Sequence, residues 1–266
     1  RIEVGTQADR ALAGAVPLLG NFDPPVTPQD APTAMPAGPH VEDSRPGLYD
    51  PATGLFYLRH SNSTGAADIT FGFGAALPSL DVLTGDWDGD GYTTVGLYDQ
   101  STGLTFLRNS ASTGYADVAY PFGVPNAGWV TFTGDWDGDG TDTLGLYDPA
   151  TSMFYLTNGT LGGYADIAFG YGMPGAGWQP LSGDWDADGQ DTVALYDPST
   201  SIFYFIDSFG TKPADWVAGF GVPNSGWEPV VGDWNGDGYD TMALFDPATA
   251  MYYQRNSLTQ GYADTA

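Results

Sequence analysis

The heptapeptide GDWDGDG occupies residues 85–91 and returns at 134–140, then as GDWDADG at 183–189 and as GDWNGDG at 232–238. The four copies begin 49 residues apart each time. A repeat of this length and regularity indicates one supersecondary unit that is copied along the chain and stacked. The period therefore predicts a repeat architecture with about 49 residues per unit.

Each unit contains four short segments that are rich in β-branched and aromatic residues. In one unit they are residues 129–133, 143–147, 153–156 and 164–169. The second and third are separated by an Asp-led turn, because Pro after Asp favours a type I turn and the Asp and Thr oxygens cap its amides. This turn occurs five times, at Asp50, Asp99, Asp148, Asp197 and Asp246. The pattern predicts four antiparallel strands per unit and no helix.

Five such units predict an all-β protein, a five-bladed β-propeller of four-stranded antiparallel blades that forms a single domain over residues 1–266. The first unit carries a Pro-rich insertion at 24–46, which we expect to be an extended loop. The last unit ends before its fourth strand is complete. Residues 2–4 alternate apolar and polar side chains, a strand pattern that could complete the edge of this last sheet. Either these residues close the ring within the molecule, or the repeats form an open solenoid completed by a neighbouring chain.

The charge balance is strongly acidic. The chain has 33 acidic and 7 basic side chains, for a net charge of −26, and nearly all of the acids are Asp. Such repulsion disfavours a compact state unless cations offset it. Nucleic acid and anionic membrane surfaces are excluded as partners, because both need Lys and Arg stripes that this chain lacks. The absence of cysteine excludes disulfides, thiolate catalysis and Cys-type zinc sites.

The heptapeptides have the chemistry of a loop that surrounds a hard cation. Counted from the first Asp of each copy, carboxylates stand at positions one, three and five, except for the amide of Asn235 at position three of the fourth copy. Gly stands at six, and a main-chain carbonyl is available at seven. They are not EF-hands, because position twelve, which needs a bidentate Glu, is Leu97, Leu146, Leu195 and Leu244. The alternative is that the Asp residues only cap turns. We predict about four Ca²⁺ per chain and none at the degenerate first copy, residues 21–24.

The loops and the YDPATG turn resemble the calcium loops of FG-GAP/VCBS-type β-propeller repeats over roughly residues 17–266. That family carries a further acid at position nine, where this chain has Thr. An acid stands at position eight instead in three loops, as Asp142, Asp191 and Asp240, while the first loop has Thr93 there. At position nine a Thr hydroxyl or a water can take the place of the family's carboxylate, and the site then carries one negative charge fewer. The candidate ligands are Asp86, Asp88, Asp90, Tyr92 and Thr94; Asp135, Asp137, Asp139, Thr141 and Thr143; Asp184, Asp186, Asp188, Gln190 and Thr192; and Asp233, Asn235, Asp237, Tyr239 and Thr241.

Two series of tryptophans repeat with the units. Trp87, Trp136, Trp185 and Trp234 stand second in each loop, and strand alternation predicts that they pack between sheets rather than line a ligand site. Trp129, Trp178 and Trp227 follow Gly-rich turns and are candidate ligand residues, since aromatics at loop mouths stack on sugar rings. The alternative is that this second series covers the end of the next blade.

Catalysis has little support in the sequence, because the only histidines, His40 and His60, do not repeat and the acids are concentrated in the repeat. We expect a non-catalytic calcium-binding module of recognition or adhesion that binds glycans or a surface protein. The alternatives are a structural subunit of a surface layer or filament, assembled as a homo-oligomer through its termini, and an enzyme with a non-repeated axial acid.

We expect the protein to be extracellular or on the cell surface, where millimolar calcium supports weak loops. The chain begins at Arg1 rather than Met, as a form trimmed of a signal peptide would. No stretch of about 18 apolar residues predicts a membrane span.

Overall fold

The computed structural model describes residues 15–20, 22, 45–60, 65–77 and 79–266. Within these residues the secondary structure consists of strands and turns, and no helix is long or apolar enough to cross a membrane. The predicted clasp at residues 2–4 and Asp23 of the degenerate first loop lie outside the described residues. Of the predicted insertion at 24–46, the part up to residue 44 also lies outside them, while Arg45 and Pro46 begin a strand.

The strands form five antiparallel sheets, one per repeat. Blade 1 comprises β1 (Val16–Gly20), β2 (Arg45–Asp50), β3 (Leu55–Leu58) and β4 (Ile69–Gly72). Blade 2 comprises β5 (Leu80–Gly85), β6 (Thr94–Asp99), β7 (Leu104–Arg108) and β8 (Val118–Pro121). Blade 3 comprises β9 (Val130–Gly134), β10 (Thr143–Asp148), β11 (Met153–Leu156) and β12 (Ile167–Gly170). Blade 4 comprises β13 (Gln179–Gly183), β14 (Thr192–Asp197), β15 (Ile202–Phe205) and β16 (Trp216–Gly219). Blade 5 comprises β17 (Glu228–Gly232), β18 (Thr241–Asp246) and β19 (Met251–Gln254).

Each blade is a simple meander in which consecutive strands are neighbours. In blade 3, for example, Thr143 of β10 lies opposite Gly134 of β9, so the Asp loop is the connection between the innermost and second strands. Blade 5 has three strands, and the place of a fourth is marked by one bridge between Gln254 and Thr265. The predicted four-stranded blade is thus confirmed for four of the five repeats.

The innermost strands form a closed ring. Each of β1, β5, β9, β13 and β17 contacts the next, and β17 contacts β1. The fold is therefore a five-bladed propeller, as the period predicted, rather than an open solenoid. Ring closure rests on contacts between innermost strands, whose edges face a central channel.

The hydrophobic core lies between adjacent blades. One cluster joins Phe132, Trp136 and Phe154 of blade 3 to Val193 and Leu195 of blade 4. The loop tryptophans enter these clusters, with exposed fractions of 5% or less except for the fourth, at 8%. This confirms the prediction that they are core residues; they are Trp87, Trp136, Trp185 and Trp234. The degenerate first loop keeps the same feature, since Phe22 is fully buried.

Candidate metal centres

Each Asp loop is folded by its own first aspartate. In blade 3, Oδ1 of Asp135 accepts hydrogen bonds from the amides of Gly138 (2.8 Å) and Asp139 (3.1 Å), while Oδ2 accepts one from Gly140 (2.7 Å). Gly138 and Gly140 have φ of 72° and 86°, in the left-handed region that glycine adopts without strain. The first aspartate therefore caps the loop, as the turn-capping alternative requires.

The carboxylate at position five also accepts an amide within its own turn, but turn capping does not explain why the carboxylates at positions three and five converge on the first. In three loops the carboxylates at positions one, three and five converge, with one oxygen from each within 4.8 Å of the others. The first carboxylate is half-buried and the other two are exposed. Such a group can hold a metal ion. The triads are Asp86, Asp88 and Asp90; Asp135, Asp137 and Asp139; and Asp184, Asp186 and Asp188.

The fourth loop has the same fold with one carboxylate fewer. Asp233 accepts the amides of Gly236 (2.8 Å), Asp237 (3.2 Å) and Gly238 (2.8 Å), as its counterparts do in the other blades. Position three is Asn235, whose amide nitrogen donates to Oδ2 of Asp237 at 3.0 Å. This loop therefore offers two carboxylates and one amide, a weaker donor set for a divalent cation.

The converging carboxylates destabilise one another's charged forms. Partial burial, followed by the charges of Asp139 and Asp135, raises the pKa of Asp137. Burial, followed by the charges of Asp188 and Asp184, raises the pKa of Asp186 in the same way. The ion pairs recorded among the described residues lie elsewhere, such as Arg108 with Asp117. No basic side chain in that set offsets the triads.

The remaining predicted ligands are placed differently. At position seven, the amides of Tyr92, Thr141, Gln190 and Tyr239 donate to the carboxylate at position five, at 2.8–3.0 Å. At position nine the threonines are buried, and their hydroxyls donate to strand carbonyls. Thr192, for example, bonds Ile206 at 2.7 Å. The other members of this set are Thr94, Thr143 and Thr241. These hydroxyls join strands, and they are not among the oxygens that converge in the loops.

The acid at position eight has a role that sequence reasoning missed. Oδ2 of Asp142 accepts the amide of Asp86 in the preceding blade at 2.7 Å, and the amide of Asp142 donates to the carbonyl of Asp86, also at 2.7 Å. The same pair of bonds joins Asp191 to Asp135 and Asp240 to Asp184. Asp142, Asp191 and Asp240, the axial aspartates, thus join each of the first three Asp loops to the next blade. The available signal was the return of Asp at position eight in three successive repeats.

The axial aspartates line a central channel of about 330 Å³ together with the innermost strands. Thr93 takes the corresponding position in blade 2 and also lines the channel. Burial, with the nearby carboxylates, raises the pKa of Asp142 and Asp240 to about 7 and that of Asp191 well above its ordinary value. Each keeps partial exposure through the channel.

The second tryptophan series forms stacked pairs within blades 3, 4 and 5. Trp129 lies on Tyr155 with ring centroids 4.9 Å apart, Trp178 on Tyr204 at 4.7 Å, and Trp227 on Tyr253 at 4.6 Å, with interplanar angles of 13–17°. All six residues are half-buried. The tyrosines were missed in the sequence, although they recur every 49 residues on the third strand.

No protein-family model matches this sequence, and a search of curated proteins found no match. The resemblance to FG-GAP/VCBS repeats therefore stands on the loops and the propeller fold alone.

Proposed function

We propose that this protein is a non-catalytic recognition module whose propeller is stabilised by Ca²⁺ in its Asp loops. The observation that carries the proposal is the convergence of three carboxylates in each of three loops. Calcium takes six to eight oxygen ligands in flexible geometry, so carboxylates, a main-chain carbonyl and waters suit it. The loops are already folded by the bonds that the first aspartate accepts, and ion binding needs little reorganisation.

Isothermal titration of the chelator-treated protein with CaCl₂ tests the number and position of the ions. We expect about four ions per chain, with the fourth loop weakest because Asn235 replaces a carboxylate. Asp137→Ala should remove one ion from the count. Asp148→Ala, in the hairpin turn of the same blade, is the matched control and should leave the count unchanged. A protein that binds no calcium would contradict the proposal.

The recognition role is proposed for the cell surface or the extracellular space, with glycans or a surface protein as the ligand. Extracellular calcium in the millimolar range suits loops of modest affinity. The acids that recur with the repeat cap loops, converge as candidate cation ligands and bond neighbouring blades, and these roles support a non-catalytic module. A glycan array and a pull-down of surface proteins, each run with calcium and with chelator, test this role.

A structural role in an assembly is the second candidate. The observation that favours it is the outer edge of β19, which in the described residues is bridged only between Gln254 and Thr265. Unpaired backbone groups at a strand edge can accept a strand from another chain. Sedimentation velocity with and without calcium separates the candidates, because a recognition module stays monomeric and a structural subunit assembles.

A further inference from the structure

A cleft between blades 4 and 5 combines a stacked aromatic pair with an exposed tyrosine. Its volume is about 710 Å³, and it is lined by Trp227, Tyr253 and Tyr262 from blade 5 and by Phe220 and Val222 from blade 4. This is a size that suits a small ligand. The cleft lies away from the Asp loops and the channel, so it is a separate site.

The aromatic side chains of the cleft are unusually available. Tyr262 is 93% exposed, while Trp227 and Tyr253 stack on each other and keep part of their surface open. Together the three rings line one cleft, and a contiguous exposed apolar surface of this kind marks an interaction site. Tyr and Trp combine an apolar face with a polar edge at low conformational cost.

The polar groups of the cleft are uncharged. Gln260, Thr200 and Ser201 line it, and no Asp, Glu, Lys or Arg does. In a chain with 33 acidic side chains, a cleft without any of them offers a cationic ligand no carboxylate side chain to pair with. The absence of basic side chains disfavours anionic ligands, because nothing in the cleft would pair with their charge. The matching ligand is neutral, with hydroxyls for hydrogen bonds and an apolar face for the rings.

The cleft belongs to a series that repeats with the blades. Between blades 3 and 4, residues equivalent to part of this lining enclose about 390 Å³, but the stacked pair of blade 4 does not line it. There Pro213 stands in place of Tyr262, and Lys212 adds a charge. Tyr115 and Tyr164 hold the position of Tyr262 in other blades and are 93% and 99% exposed. In blade 2, however, Leu80 replaces the stacked tryptophan.

We propose that the cleft between blades 4 and 5 binds a neutral saccharide, with the apolar face of one sugar ring packed on the aromatic rings. The saccharide hydroxyls bond the exposed side chains of Gln260 and Thr200 at its edge. This inference rests on the proposed recognition function and specifies where a glycan would be held.

The test uses the indole N–H signals of the eight tryptophans in an NMR spectrum of the calcium-loaded protein. The Trp227 signal is assigned by its loss in Trp227→Phe. The protein is titrated into the millimolar range with glucose, galactose, mannose and N-acetylglucosamine, and with their soluble oligomers. At least one of these should shift the Trp227 signal in a saturable manner.

Tyr262→Ala should weaken that binding by about tenfold, as removal of an aromatic anchor does. Tyr115→Ala is the matched control, since its tyrosine is equally exposed beside Leu80, and it should leave the titration unchanged. Two outcomes would show that the saccharide binds outside this cleft while glycan recognition stands. In the first, sugars shift other tryptophan signals but not that of Trp227; in the second, Tyr262→Ala binds as tightly as the parent. If no sugar shifts any signal, both the cleft and glycan recognition are overturned.

Discussion

Two Asp-led turns of the same blade show how the number of donors decides what an aspartate can do. In the hairpin turn, Asp148 accepts the amide of Ala150 at 2.9 Å and the hydroxyl of Thr151 at 2.6 Å. Each oxygen has its own donor, and no further carboxylate converges there. In the Asp loop, Asp135 likewise caps its turn, but Asp137 and Asp139 converge on it.

In blade 2 the pKa shifts of aspartates in the two kinds of turn run in opposite directions. In the hairpin turn of blade 2, the Ser101 hydroxyl bond lowers the pKa of Asp99. In the Asp loop of the same blade, burial raises the pKa of Asp86 and of Asp90 despite the amides that they accept. A hairpin turn is therefore complete without an ion, whereas an Asp loop has more acceptors than its own donors can satisfy. That surplus is the physical argument for a cation.

The largest expected effect is that of calcium removal. Because an ion that binds only the folded state stabilises it by mass action, each site contributes roughly 2.7 kcal/mol at a calcium concentration 100 times Kd. EGTA should lower the melting temperature by roughly 5 to 10 °C for each site emptied. Calorimetry of the protein in calcium, in EGTA and in magnesium measures this, and magnesium should restore little because it demands a stricter geometry. Identical melting curves in all three would contradict the cation argument.

The pH dependence of stability in EGTA is the next largest effect. Asp142 and Asp240 have pKa values of about 7 when folded, so the folded state holds protons that the unfolded chain releases above about pH 4. Their stabilising contribution is full below pH 4 and is lost as the pH rises to 7, a change on the order of a few kcal/mol. Urea unfolding between pH 5 and 8 measures it.

The control for this prediction is Asp142→Asn, which retains an acceptor for the Asp86 amide and cannot ionise. We expect the variant to be more stable than the parent at pH 8 in EGTA and to depend less on pH. The opposite trend holds for Asp99, whose lowered pKa contributes stability that is lost only as the pH falls below about 4. If the free energy of unfolding of the parent protein in EGTA rises from pH 5 to 8, the prediction is wrong, because ionisation of the axial aspartates would then not destabilise the fold.

A matched pair of variants separates the two kinds of turn directly. Asp137→Ala removes a carboxylate that binds the ion, so it should cost roughly 2.7 kcal/mol in saturating calcium. In EGTA it should slightly stabilise the protein, because it relieves the repulsion from Asp135 and Asp139. Asp148→Ala removes two hydrogen bonds of a turn, so it should cost about 1 to 2 kcal/mol under both conditions. Urea unfolding of both variants in both buffers is the measurement. If calcium changes the stability lost in Asp137→Ala and in Asp148→Ala by the same amount, the two kinds of turn do not differ in ion binding.

The smallest effect concerns the fourth loop. Asn235→Asp supplies the missing carboxylate and should tighten calcium binding at that loop alone, because ligand charge tunes calcium affinity. In EGTA the same change should slightly destabilise the protein, since it ends the bond from Asn235 to Asp237 and adds a repelling charge. Competitive titration against a calcium indicator detects the change in one site. An unchanged affinity would mean that this loop does not bind calcium.

The repeat, the strands and the turns were predictable from the sequence because their causes are local. Strand alternation and the Asp-Pro turns act over a few residues, and the 49-residue period copies them five times. The burial of Trp87 and its counterparts followed from the same alternation. The convergence of the side chains at positions one, three and five in three of the loops was also predictable, since all three stand on one short loop.

Only the tertiary structure decided which residues of one blade contact the next blade. Asp142 meets the amide of Asp86 across 56 residues, a contact that no local rule specifies. The clefts likewise need two blades, because Tyr262 and Phe220 face each other only after the blades are packed side by side. The closure of the ring through β1 and β17 depends on the angle accumulated over five blades. Local patterns determine each blade, and the contacts between blades depend on how the whole chain is packed.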